Sequence, residues 1–133
     1  MPHEPIEKGS AQDWLVYARS DLELARSGKV PGILLETLCF HAQQSAEKAI
    51  KAVLIHNGVP TIKSHNIGAL LNLIPDAVTI PTEIQECVIL TDYAVVTRYP
   101  GNYEPISDDE YNAALDLAQS VLRWSEEQIR TKT

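Results

Sequence analysis

Residues 32 to 57 constrain the fold more than any other stretch of the chain. The segment stops at Asn57-Gly58, just before Pro60, and its apolar residues recur at helical spacing. On a wheel turning about 100° per residue, Leu35, Leu38, Cys39, Ala42, Ala46, Ala49, Ile50, Val53 and Leu54 share one broad arc. His41, Gln44, Glu47, Lys48 and Lys51 fill the other. An amphipathic helix of this kind must lay its apolar arc on neighbours. The alanines in that arc let a neighbouring helix come close. Phe40 and Ile55 fall on the polar side, so that side is not expected to be wholly solvated.

The flanking segments supply those neighbours. Ser10 is an N-cap for a helix over about residues 10–27, with Trp14, Leu15, Ala18, Leu22 and Ala25 as its apolar stripe. Gly28 ends it, and Pro31 sits near the start of the next element. Residues 58–65 read as a connection, 66–74 as a short helix ending at Pro75, and 75–81 as a loop. Thr82 with Gln85 reads as a capping box opening a fourth helix that runs to Pro100-Gly101. Its apolar residues, among them Ile84, Val88, Ile89 and Leu90, go nearly all round. Such a helix is either the central one or turns a face to a second subunit. Ser107 with Glu110 is a further capping box, and Asp108 and Asp109 suit the helix dipole. From there Tyr111, Ala114, Leu115, Ala118, Val121, Leu122, Ser125 and Ile129 form the stripe of a last helix. No run alternates in the way a strand requires. The fold class predicted is all-α: an antiparallel helical bundle with short loops, residues 1–9 a disordered tail and 10–130 one domain.

Composition narrows the function. The chain has 133 residues, 44% of them hydrophobic, and a formal net charge of −7. That suits one globular domain. It argues against non-specific binding along phosphate backbones, which needs clustered cations, so any nucleic-acid site must be local. No apolar run is long enough to span a membrane, and the opening residues lack the apolar core of a signal peptide. Cys39 and Cys87 therefore read as reduced, buried thiols of a cytoplasmic protein.

Three groups of residues could carry chemistry. His41, Gln44, Lys48 and Lys51 stand at i, i+3, i+7 and i+10 on one helix face. That strip can bind phosphate, base edges or a partner's carboxylates. It can equally be a solvated face on which Glu47 pairs with Lys51. Arg98-Tyr99-Pro100-Gly101 offers a guanidinium beside Tyr99 and Tyr103, or simply a helix C-cap. Thr91, seven residues before Arg98, is placed to orient it. His65 and Asn66 follow Lys63 and Ser64, and there N-capping by Ser64 or Asn66 is the simpler reading. No Glu-x-x-His pair, Cys-x-x-Cys, P-loop or Gly-x-Gly-x-x-Gly occurs, so neither a metal nor a cofactor is expected.

Several of these segments together resemble the HEPN family (higher eukaryotes and prokaryotes nucleotide-binding). They are Trp14 through Ala25, the block Cys39-Phe40-His41-Ala42-Gln43-Gln44-Ser45-Ala46-Glu47-Lys48-Ala49-Ile50-Lys51, then Lys63-Ser64-His65-Asn66-Ile67, then Arg98-Tyr99-Pro100-Gly101 and a long final helix. The resemblance covers about residues 10–129. It implies an up-and-down bundle of four long helices plus a short one, and a homodimer. It also implies a nucleotide or RNA ligand and, for some relatives, a nucleotidyltransferase partner. Many relatives are metal-independent ribonucleases, some of them toxins of toxin–antitoxin pairs. Their motif is an Arg, then four to six residues of which the first is usually polar, then a His. Here Arg98 is kept, but Tyr103, Glu104 and Pro105 stand where the His belongs. Tyr, with an unperturbed pKa of about 10, is a poor general base near neutral pH. The expectation is therefore binding: Arg98 as phosphate anchor, with His41, Gln44, Lys48, Lys51 and His65 as lining. Arg98 and Tyr103 are the candidates if catalysis persists. A ribonuclease toxin and a purely structural adaptor are the alternatives.

Overall fold

The computed structural model describes residues 6–28, 30–94 and 105–131. The helices are α1 (Ala11–Ala25), α2 (Leu35–His56), α3 (Ile67–Leu71), α4 (Thr82–Gln85), its 3₁₀ continuation (Glu86–Ala94), and α5 (Asp108–Thr131). No strand occurs among the described residues.

Several helix ends carry the signals the sequence predicts, although α2 starts at Leu35, later than expected, and α3 ends at Leu71, before the expected 74. The Ser10 hydroxyl accepts from the Asp13 N–H at 3.2 Å, and the Asp13 carboxylate accepts from the Gly9 N–H at 2.9 Å. This reciprocal pair starts α1 and draws residues 7–10 into a turn. After α2, Gly58 takes φ +74°, a left-handed conformation that favours glycine. There the Val59 N–H reaches back to the Leu54 carbonyl at 2.9 Å. Asn66 caps α3 through the Ala69 N–H, and Ser107 caps α5 through the Glu110 N–H.

The helices pack as an antiparallel up-and-down bundle. Asp21 of α1 meets His41 of α2, while Trp14, further back on α1, lies by Lys51, further on in α2. Tyr111, at the start of α5, donates to the Ala25 carbonyl at the end of α1. Closest of all is the α1–α2 seam. There the buried Ser45 hydroxyl donates to the Ala18 carbonyl at 2.8 Å, and Ala42, Ala46, Ala49 and Ala52 are buried with it. The apolar stripes predicted for α1 and α5 enter the core, joined by Trp124.

Several expectations are corrected. The central helix is α2, packed along α1 and α5 and touching α3 and the 3₁₀ helix. Its polar arc is not a solvated face: Glu47 and Lys51 are buried, and His41, Gln44 and Lys48 are half-buried. Phe40 and Ile55 are half-buried, as their place on that arc implies. The fourth helix is buried on one side, not all round. After one α-turn it tightens to 3₁₀ winding, which puts every third residue in line. Ile84, Cys87 and Leu90 accordingly face the core, and Val88 and Ile89 remain exposed. Thr82 and Gln85 form no capping box: the N-cap is Pro81, and Gln85 donates to the Ile80 carbonyl at 3.0 Å. The described helix ends at Ala94; the expected end at Pro100-Gly101 lies outside the described residues.

Candidate functional site

The polar row of α2 meets a matching row on α1. Trp14, Tyr17 and Asp21 stand at i, i+3 and i+7, so one face of α1 presents two rings and a carboxylate. Asp21 accepts from both neighbours: His41 Nδ1 lies 3.0 Å from one oxygen and Lys48 Nζ 2.6 Å from the other. The Lys48 ammonium also lies 6.0 Å from the Tyr17 ring centre. All three members of this cluster are half-buried.

Deeper on the same helix, Glu47 is only 3% exposed and collects three donors. Lys51 Nζ donates at 2.9 Å to one oxygen. Gln43 Nε2, at 3.1 Å, and His65 Nδ1, at 2.8 Å, share the other. Burial pushes the Glu47 carboxyl pKa up, but the bonds from Lys51, His65 and Gln43 outweigh it, so the net value lies below the ordinary carboxylate range. Glu47 is therefore an anion at neutral pH and can only accept. Gln43 also donates to the His65 carbonyl at 3.2 Å and accepts from Gln44 at 2.7 Å. Lys51 lies 5.4 Å from the Trp14 ring centre, which covers its other side.

This fixes the tautomer of His65. An acceptor at Nδ1 requires the hydrogen there, so Nε2 of the neutral ring carries a lone pair. The side chain is 69% exposed. A buried carboxylate thus holds an imidazole by one nitrogen and leaves the other toward solvent. His65 is not the bystander of a cap, as the simpler sequence reading has it, although Asn66 beside it does cap α3. Thr91 accepts from the Ile67 N–H at 3.1 Å, which joins the 3₁₀ helix to the start of α3 two residues from His65.

The sequence-predicted residues fall into two clusters. His41 and Lys48 come together on Asp21; Lys51 and His65 come together on Glu47, with Gln44 attached through Gln43. Lys51 spends its ammonium inside the protein. Arg98 and Tyr103 lie outside the described residues. Sequence reasoning missed the two carboxylates as hubs. The signal for Asp21 was its seven-residue spacing from Trp14, which puts both on one face of α1. Cys39 and Cys87 are free and buried, and burial pushes the Cys87 thiol up to about 12, which keeps it protonated. No group of three or more His, Cys, Asp or Glu side chains among the described residues could hold a metal ion. No helix among them is long and apolar enough to cross a membrane.

Comparison with known proteins accords with this fold. The HEPN domain family matches residues 11–128. The solved structure of TT1696 from Thermus thermophilus superposes with a TM-score of 0.77 at 33% identity, over 90% of this chain and 98% of that one. ST0689, described as an archaeal HEPN homologue, superposes with a TM-score of 0.72 at 31% identity and the same coverage. No curated protein matches significantly. The chain belongs to the HEPN domain family.

Proposed function

We propose that this HEPN protein is a nucleotide- or RNA-binding module whose site is built round His65. The observation that carries the reading is the Glu47–His65 pair: a buried, fully bonded carboxylate presenting an exposed imidazole. Such a group hydrogen-bonds a ribose hydroxyl or base edge through Nε2 and, when protonated, a phosphate oxygen. Gln44, Lys48 and His41 lie along the same helix face as lining. Arg98, four residues beyond the 3₁₀ helix, is the phosphate anchor in this reading. The test is fluorescence anisotropy of a labelled short single-stranded RNA. His65→Ala and Arg98→Ala each weaken binding about tenfold, the scale of one charge-assisted hydrogen bond, with helical circular dichroism unchanged. Equal binding by the wild type and both variants, or none by the wild type, would refute the proposal.

A second reading is favoured by the same pair. A carboxylate-oriented imidazole is an arrangement for proton transfer, so His65 can stand in for the missing motif His of a metal-independent ribonuclease. Cleavage of RNA in the presence of a chelator, lost in His65→Ala, supports that reading; intact RNA after prolonged incubation removes it.

We further propose that the protein works in the cytoplasm as a homodimer and partners a nucleotidyltransferase-type protein. Free, separate thiols support the compartment. Ile89, 63% exposed beside exposed Val88, supports the dimer. A monomeric mass by light scattering at micromolar concentration counts against the dimer.

A further inference from the structure

A second cationic feature lies away from the Asp21 and Glu47 clusters. Between α1 and the later turns of α5 runs a groove of about 380 Å³. Its floor is apolar, made by the buried Leu15 and Ile129. Its walls carry Arg19, Arg123 and Arg130. These are three of the chain's five arginines, the others being Arg26 and Arg98.

Three guanidinium groups in one small groove are unexpected in a chain with 18 acidic and 11 basic residues, where carboxylates are plentiful. Only Arg19 uses one: its Nε donates to Glu126 Oε2 at 2.7 Å. That bond spans from α1 to α5 and fixes the plane of the guanidinium. Its two terminal nitrogens donate to no described residue. Arg123 and Arg130 make no ion pair or hydrogen bond with any described residue, although Glu127 lines the same groove.

The spacing has a direction. Arg123 and Arg130 are seven residues apart, so they share a face of α5 at about 10 Å along the axis. Glu126, which holds Arg19, lies between them. The three cations are thus set along the groove in the order Arg123, Arg19, Arg130. Their mutual repulsion is only partly offset by the two glutamates, and a bound anion relieves the rest. Each guanidinium is a planar fork suited to paired oxygens. A lone carboxylate offers two oxygens in one plane. A short chain of linked phosphates offers many along a line, which is what three forks in a row can use.

We propose that the α1–α5 groove binds a small ligand carrying linked phosphoryl groups, gripped by Arg123, Arg19 and Arg130. This site shares no residue with the His65 site, so either can fail without the other.

The experiment is calorimetric titration of the full chain with inorganic tripolyphosphate at low ionic strength, repeated with a nucleoside triphosphate. Wild type binds both saturably, within a few-fold of each other. Arg123→Gln combined with Arg130→Gln, which keeps the apolar stems but removes the charge, weakens binding at least tenfold. Lysine at both positions restores part of the affinity, because charge returns without the fork. Arg26→Gln, a guanidinium outside the groove, binds as the wild type does. The proposal is overturned if wild type shows no saturable binding, if the double variant binds as the wild type does, or if Arg26→Gln loses as much affinity as the double variant. It is also overturned if citrate binds as tightly as tripolyphosphate, which would make the groove a sink for any anion.

Discussion

α2 and the helix formed by α4 with its 3₁₀ continuation invert the usual link between polarity and exposure. α2 carries Gln43, Glu47 and Lys51, and all three are buried. The 3₁₀ helix carries Val88 and Ile89, and both are exposed. The difference lies in what each helix meets. α2 is flanked by α1 and α5 and closed over by the His65 segment, so its charges are internal and must neutralise one another. The 3₁₀ helix buries Cys87 and Leu90 in line with Ile84 of α4, while Val88 and Ile89 on its other side stay exposed. Whether a residue matters for stability therefore follows from partners and burial, and hydrophobicity is a poor guide to it here.

The largest expected effect comes from breaking the buried cluster. Glu47→Ala leaves the Lys51 ammonium buried without its counter-charge and releases Gln43 and His65, so it should cost about 3–5 kcal/mol. Chemical denaturation measures it; a loss below about 1 kcal/mol would mean that water reaches Lys51 freely. Next comes Asp21→Ala, which removes the acceptor for His41 and Lys48. Those partners are half-buried and can turn to water, so the expected cost is smaller, about 1–2 kcal/mol. A cost equal to that of Glu47→Ala would erase the distinction between the two clusters.

Acid sharpens the contrast. Because the Glu47 carboxyl lies below its ordinary value in the folded protein, its ionised form stabilises the fold above the unfolded value of about pH 4.3. That contribution is lost as pH falls through the folded value. Urea midpoints measured from neutral to acid pH should fall more steeply for the wild type than for Glu47→Gln. Parallel curves would show that Glu47 is not the titrating group. The smallest effect belongs to the apolar helix. Ile89→Asn should change the stability of the single chain by no more than about 0.5 kcal/mol, while shifting a dimer, if Ile89 lies in its interface, toward monomer by light scattering. A large loss of monomer stability would place Ile89 in the core.

Much of this was legible in the residues. Helix existence and order follow from spacing and caps: Ser10, Gly28, Asn57-Gly58, and Ser107 before the last helix. The family was legible as well, because the block from Cys39 to Lys51 keeps its order and spacing relative to Lys63-Ser64-His65-Asn66-Ile67 and Arg98-Tyr99-Pro100-Gly101. The members of the polar row were also visible, but not their grouping. A helical wheel places His41, Gln44, Lys48 and Lys51 together, whereas the folded chain divides them between Asp21 and Glu47. Asp21 is 20 residues from His41, and no local rule pairs them.

The sequence by itself determined where α1 and α5 start and where α2 stops, which stripe of α1 and α5 is apolar, and that the chain is a HEPN domain, because caps and periodicity act over a few neighbouring residues. Only the tertiary structure decided that α2 is central, that Glu47 is a buried anion, and that His65 is held by one ring nitrogen with the other turned outward. Those outcomes depend on which distant elements close over a face, and burial is a property of the packed whole.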